Sequence, residues 1–459
     1  MGFTAVEPPY VTDTRWIVYA IPASLAIWRA KCAGHLSLVA VWVTLGLLVL
    51  GFLHLPGFPS YPPQVHRIQG VYNAMKIARV DAFAIKLPPA DTGNEGTTEN
   101  LDTYGDYFIA RDAWTSIYSR AHETCLVRVE ADNGLVGWGE GQAPVGGRAV
   151  RAIVEDLCRP VLLGQDPFDV EYLWYRLYSA MRERGHVTGF YVDALAGVDL
   201  ALYDLMGKAL GKPAHKLLGG QFRDRVRVYA GIGGTDEATL VRQAQEHVAE
   251  GYQALKLHLR VSTPEILQIV QAVREVVGPQ VELMVDIHML RDVSGAIELG
   301  RGLEQLGVRW LESPTQPEDV HGQAEVARAL DMQVATGEWL RTTWEWRQWI
   351  EHRAFDVAMP DIARTGLSEG KRIAALCDSF NLPIAPHVGG GGILAVAASV
   401  AYSAAIPNFQ ILEHAHRAHA QKARIARRFP EPVDGAFPVE DVPGLGVEID
   451  EDAVARFTV

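Results

Sequence analysis

VELMVDIHMLRDVSGAIELGRGLEQLGVRWLESP, residues 281–314, holds the unit from which the fold is read. A short apolar run, Val281–Asp286, ends in a carboxylate. A helix-length segment follows, and a second apolar run, Val308–Glu312, again ends in a carboxylate. Strand, helix and parallel strand in this span make a βαβ unit. The same texture extends both ways. Upstream lie Val226–Ala230 and Ala254–Leu257; downstream lie Gln333–Gly337, Val357–Pro360, Pro383–His387 and Phe409–Glu413. Strand–helix units repeated eight times across residues 225–416 predict a closed α/β barrel of (β/α)8 type. An open doubly wound sheet would carry a Gly-rich phosphate loop after its first strand, and GIGG at Gly231–Gly234 is too short for one.

In such a barrel the chemistry sits where strands end and loops begin. Seven consecutive strand ends deliver ionisable groups: Lys256 with His258, Asp286 with His288, then Glu312, Glu338, Asp361, His387 and Glu413. Residues two apart on a strand share a face, which pairs Lys256 with His258 and Asp286 with His288. One acid at a strand end is usually a solvated loop residue. Asp286, Glu312 and Glu338 recur at intervals of 26 residues, and three carboxylates converging on one mouth repel unless a cation neutralises them. An oxygen-only donor set favours Mg²⁺ first and Mn²⁺ second. No cysteine motif or compact His cluster suggests zinc. His387 and Asp361 come from adjacent strands, and a carboxylate beside an imidazole fixes its tautomer and raises its basicity, the arrangement of a general base.

The barrel is flanked by different material. Lys76–Leu87, Cys125–Glu130 and Gly134–Gly141 read as strands of an antiparallel meander, and Arg148–Leu162, Val170–Ala180 and Val192–Leu210 as helices. Residues 75–224 are therefore expected to form an α+β capping domain, with Leu87–Tyr107 and Arg182–Tyr191 as its candidate substrate-covering loops. Residues 417–459 are expected to return and pack on that cap, with strands at Val447–Ile449 and Phe457–Val459. Residues 1–74 stand apart. LSLVAVWVTLGLLVLGFL at 36–53 is eighteen residues without a charge, followed by the Pro-rich linker LPGFPSYPPQ. Two readings stand: a membrane anchor or removed targeting segment, or a stretch upstream of a natural start at Met75.

Composition narrows the class. A formal charge of -13 and the lack of a basic stripe argue against a nucleic-acid partner. The run Lys422–Arg428 reads as a solvated helix surface. Four cysteines without a pairing framework fit a reducing, cytoplasmic setting, with membrane contact only if 36–53 is an anchor.

In order, KLH, VDIH, LESP, TGE, MPDIARTG and APHVGGGG resemble the mandelate racemase / muconate lactonizing enzyme branch of the enolase superfamily. VGWGEG at Val136–Gly141 and VDLALYDLMGKALGKP at Val198–Pro213 resemble its capping domain. The resemblance runs from about Met75 to about Glu413. It implies abstraction of a proton α to a carboxylate, with Mg²⁺ holding the enediolate. Within the branch, the DxH and PH patterns are most similar to sugar-acid dehydratases of the galactonate type. That similarity implies Asp286, Glu312 and Glu338 as metal ligands and His387, oriented by Asp361, as the base for the α-proton. It also implies His288 as the acid for the departing 3-hydroxyl and Glu413 as a hydrogen-bond partner of the enediolate. The implied substrate is an aldonic or aldaric acid, and the implied assembly a homo-oligomer. The alternative is a racemase or epimerase working with two bases, His387 against Lys256. Racemases of the family usually carry KxK where this chain has Lys256-Leu257-His258, so the second lysine is replaced and His258 becomes a candidate substrate contact.

Overall fold

The computed structural model describes residues 75–89, 101–110, 116–234 and 236–459. The apolar run at 36–53, its linker and residues 90–100 of the first candidate loop lie outside those residues. Among the described residues no helix is long and apolar enough to cross a membrane.

Six strands come first: β1 Ile77–Leu87, β2 Leu101–Tyr104, β3 Tyr107–Ala110, β4 Ile117–Ser119, β5 His122–Ala131 and β6 Val136–Gly141. β1, β5 and β6 form one antiparallel sheet, and β2, β3 and β4 a smaller one. The larger sheet packs on the helix Phe190–Leu210, which is buried from Tyr191 to Gly207. Alternating glycines make this close approach possible. A Cβ at Gly137 or Gly139 would run into the helix backbone at Ala201 and Gly197, respectively. The helix stops at Gly211, which takes the left-handed conformation with φ 61°.

The barrel strands are β7 Arg225–Gly233, β8 Ala254–His258, β9 Glu282–Asp286, β10 Val308–Glu312, β11 Gln333–Thr336, β12 Val357–Ala358 and β13 Leu412–His414. They pair in parallel in the order β12-β11-β10-β9-β8-β7-β13. The seventh position, expected as a strand over Pro383–His387, is held instead by single parallel bridges: Ala358 with Ile384, Asp361 with His387, and Ile384 with Phe409. Pro383 and Pro386 have no amide hydrogen to donate, so a regular ladder is interrupted there. The ring nonetheless closes, and its interior is filled. Tyr229, Ala254, Met284, Trp310, Ala335, Val357, Met359, Ala385 and Ile411 form a buried cluster separate from the main core, with every strand position represented. This is a packed (β/α)8-type barrel carrying an α+β cap.

Past the barrel come β14 Ala426–Arg428, β15 Ala436–Pro438 and β16 Glu448–Ile449. β15 adds antiparallel to β7, and β14 pairs with β16. The chain end touches the cap sheet, where Thr458 bridges Ile85 and the Val459 amide donates to the Ala84 carbonyl. Where a strand was expected at Phe457–Val459, a helix capped by the Asp450 side chain runs over Glu451–Phe457. The Lys422–Arg428 run is likewise not a solvated helix face. Lys422 is buried and donates to the Gly389 carbonyl at 2.9 Å, and the segment passes from helix to β14.

Buried carboxylates of the cap hold the barrel. Glu140 of β6 accepts from Thr124 Oγ1 at 2.6 Å and from the amides of Gly392 and Ala395, capping the helix Ile393–Ala405. Asp193 takes a two-point contact from Arg341, at 2.7 and 3.0 Å. Asp199 accepts from the Leu367 amide at 2.6 Å, the Ser368 amide at 3.0 Å and the Ser368 hydroxyl at 2.5 Å. Burial nevertheless pushes Asp199 up to about 6. Its folded value lies above the unfolded one, so the folded state binds the proton more tightly and stability falls as pH rises from about 4 to about 6. For a shift of this size the change is about 3 kcal/mol. Urea unfolding at pH 4.5 and pH 7 is expected to show that slope in the parent chain and a flatter one in Asp199→Asn; equal slopes would contradict it.

Candidate active site

The inner layer of the barrel explains where the polar groups go. Successive side chains alternate across a strand, so the residue two past an inward-facing core residue also faces inward, one layer nearer the strand's C-terminal end. Ala254 leads to Lys256, Met284 to Asp286, Trp310 to Glu312, Met359 to Asp361, Ala385 to His387 and Ile411 to Glu413. All six of these polar residues are buried. Glu338 breaks the rule, since the residue two past Ala335 is Gly337. At φ 119° Gly337 turns the chain, and a Cβ there would collide with the Trp346 ring. That turn brings the next residue, Glu338, to the mouth. His288 also lies past its strand. β9 ends at Asp286, and His288 sits at φ 51° with its amide donating to Asp286 Oδ1 at 2.9 Å. Strand alternation therefore places Lys256 with His258, but a tight turn places His288.

The nine strand-end groups, Asp361 included, form one network around Lys256 and His387. Lys256 Nζ lies 2.8 Å from Glu312 Oε1, 2.9 Å from Glu413 Oε1 and 3.9 Å from Asp286 Oδ2. Burial works against its charge, but Glu312 and Glu413 override it and hold the ammonium proton well above the usual range. His387 Nδ1 is 2.7 Å from Asp361 Oδ2, and Nε2 is 2.8 Å from Glu338 Oε2 and 3.5 Å from Glu413 Oε2. His258 Nδ1 is 3.1 Å from Asp286 Oδ2. His288 Nδ1 is 3.8 Å from Asp286 Oδ1; burial would strip its proton, yet Asp286 raises its pKa.

The carboxylates outnumber the fixed cations. Burial, with the charges of Asp286 and Glu413, pushes Glu312 up to about 8 despite Lys256. Glu338 goes the other way: burial opposes its charge, but His387 beside it takes the carboxyl down to about 2. A buried oxygen set with one acid forced toward its neutral form is a set short of positive charge, which a hard divalent cation would supply. In this structure Asp286, Glu312 and Glu338 turn to His258, Lys256 and His387 respectively rather than to one another. Among the described residues the three His/Cys/Asp/Glu ligand atoms lying within 4.8 Å of one another belong to a different group, His247, Glu250 and His416.

Two contributors, Arg364 and Tyr118, are not singled out by sequence. Arg364, inside MPDIARTG, donates to the Glu338 carbonyl at 2.9 Å and to the Gln142 side chain, tying a strand-end turn to the cap. The Val388 and Gly389 amides each donate to Glu413 Oε2 at 2.9 Å. The glycines beyond His387 are explained by crowding: a Cβ at Gly389 would meet the His387 ring, and one at Gly392 the Glu140 carboxylate. From the small sheet, Tyr118 of β4 lies beneath the Arg260 guanidinium, 5.6 Å from its ring centroid, two residues past His258.

Comparison with known proteins decides the family. Residues 108–219 match the mandelate racemase / muconate lactonizing enzyme N-terminal domain, and residues 239–453 the enolase C-terminal domain-like family. The chain belongs to the mandelate racemase / muconate lactonizing enzyme branch of the enolase superfamily. It is 36% identical to the D-galactarolactone cycloisomerase of Agrobacterium fabrum, over 74% of this chain and 91% of that one. It is 34% identical to the D-xylonate dehydratase of Haloferax volcanii, over 76% and 88%. Among solved structures it is similar to a mandelate racemase/muconate lactonizing protein from Paracoccus denitrificans complexed with magnesium, with TM-score 0.72, 30% identity, and 84% and 98% of the two chains covered.

Lys256→Met removes the ammonium while keeping much of the volume. It leaves Glu312 and Glu413 buried without their partner, and a loss of about 3–5 kcal/mol is expected. Urea unfolding checks this, and an unchanged midpoint would show that the lysine is not what balances those acids.

Proposed function

We propose that this protein is a Mg²⁺-dependent acid-sugar dehydratase acting on an aldonic or aldaric acid. The observation that carries the reading is the pair of histidines at the mouth with unlike settings. His387 is backed by Asp361 at 2.7 Å, and Asp286 beside His288 raises that imidazole's pKa. Dehydratases of xylonate and galactonate among the relatives support the same class.

Asp286, Glu312 and Glu338 would hold the ion. When bound, Mg²⁺ acts as a Lewis acid on the substrate carboxylate and eases charge build-up at the α-carbon. Asp361 fixes His387 with Nδ1 protonated, leaving Nε2 to take the α-proton. Glu338 must turn away from Nε2 for that nitrogen to accept it, as its place among the metal ligands requires. His288 gives its proton to the 3-hydroxyl, which leaves as water. The electron pair of the broken C–H bond becomes the new C2–C3 double bond, and the enol product tautomerises to a 2-keto-3-deoxy acid. Lys256 and Glu413 stay in place as a buried charge pair beside the reacting carboxylate, with His258 positioned as a substrate contact.

A second reading is isomerisation, favoured by the likeness to a cycloisomerase. The two-base form with Lys256 is the weaker version, because an ammonium pinned between two carboxylates has no lone pair to offer.

The test is a screen of the purified chain with Mg²⁺ against aldonic and aldaric acids, detecting 2-keto products. A hit is expected to vanish with EDTA and to fall by roughly 10²-fold or more in both His387→Ala and His288→Ala. Dehydration retained in either variant removes that residue from its role. Deuterium entering unchanged or epimerised acid from D₂O, without keto product, moves the assignment to an isomerase.

A further inference from the structure

A second group of ligand-bearing side chains lies away from the barrel mouth. The sequence motif HAHRAH, residues 414–419, brings His414, His416 and His419 together at the end of β13. The helix Glu237–Ala249 delivers His247 in its last turn, and Glu250 follows as its C-cap. His247 Nδ1 lies 3.1 Å from Glu250 Oε2, and His416 Nε2 lies 3.0 Å from the same oxygen. A tetrahedral ion with metal–nitrogen bonds of about 2.05 Å would set such atoms roughly 3.3 Å apart. The two contacts to Glu250 therefore need to open only slightly to admit one, and all three atoms lie within 4.8 Å of one another.

The surroundings are those of a built site. Tyr252, buried, places its hydroxyl 2.9 Å from His414 Nδ1 and 3.1 Å from His416 Nδ1. Engaging Nδ1 of His416 presents Nε2 to Glu250, the way an outer hydroxyl orients a ligating imidazole. Where the Tyr252 oxygen accepts from His416 Nδ1, Nε2 faces the carboxylate and needs either a proton or a metal ion between them. Glu250, Tyr252, His414, His416 and His419 also line a cavity of about 910 Å³ bounded by Phe429 and Asp434. Its size suits a small molecule.

We infer that His247, Glu250 and His416 form a binding site for a borderline transition-metal ion, Zn²⁺ first, separate from the oxygen-only site at the barrel mouth. Two imidazoles and one carboxylate are the donor set such ions take, while Mg²⁺ prefers oxygen throughout. Three protein ligands leave a coordination position for water or for a polar group entering the cavity. The site rests on this side-chain geometry and not on the dehydratase reading.

The measurement is Zn²⁺ titration of the metal-stripped full chain by calorimetry in millimolar Mg²⁺, repeated with Co²⁺ to read the visible spectrum. One Zn²⁺ per chain is expected above the Mg²⁺ background, with the Co²⁺ absorption of a four-coordinate site. Glu250→Gln and His416→Ala are expected to abolish it, and Tyr252→Phe to weaken it by about 10-fold or more. His387→Ala is expected to bind as the parent does. Glu250 is about half exposed at the end of its helix, so its variant keeps the test interpretable if His416→Ala fails to fold. Absence of Zn²⁺ binding in the parent, binding retained in Glu250→Gln, or binding lost in His387→Ala would each overturn the assignment.

Discussion

Charge balance inside the barrel mouth is the constraint around which the rest is arranged. Five carboxylates, those of Asp286, Glu312, Glu338, Asp361 and Glu413, are buried in one region. Ionised acids cannot be taken out of water unless each finds compensation. Lys256 serves Glu312 and Glu413, His387 serves Asp361 and Glu338, and His258 and the turn amide of His288 serve Asp286. Glu312 is the acid left short, held toward its neutral form. A divalent cation would settle that deficit, and the stability of the mouth would then depend on the same quantity as its metal binding.

The second level of organisation is the placement of the cap. It is fixed by polar groups at helix ends rather than by apolar contact alone. Glu140 caps a barrel helix, Asp199 receives the Leu367 and Ser368 amides, and Arg341 clamps Asp193. Directional bonds of this kind set register as well as affinity. Arg364 carries the linkage inward, from Gln142 of the cap to the carbonyl of Glu338. The cap is thereby tied through two bonds to the turn that carries Glu338.

Much of this was legible in the sequence. The βαβ period revealed the barrel because strands buried on both faces read as short apolar runs between helices, and the acids stood out because they interrupt those runs. Asp286, Glu312 and Glu413 follow from parity alone. Glu338 does not, since its position depends on the Gly337 turn, and His288 depends on a left-handed residue. The seventh strand was read as regular, but its prolines limit it to bridges. Lys422 was read as solvated because a basic run gives no sign of burial, and only the return of the C-terminal segment explains it. The His247–Glu250–His416 group was invisible for another reason: its members are spread over 170 residues and meet only after folding.

The interrupted seventh position has a bearing on how the ring is fastened. Its prolines remove two donors, yet three backbone hydrogen bonds still join it to each neighbour. On one side the amides of Ala358, Ala385 and His387 donate to the carbonyls of Pro383, Ala358 and Pro360. On the other, the amides of Ile384, Gln410 and Glu413 donate to those of Asn408, Ile384 and Pro386. The closure resembles hooks and eyes, made at separate points rather than along a continuous hem. Asp361 and His387 form one of those points, and their side-chain contact at 2.7 Å adds a further stitch to it. The joint that shuts the ring is thus also the joint that sets the imidazole.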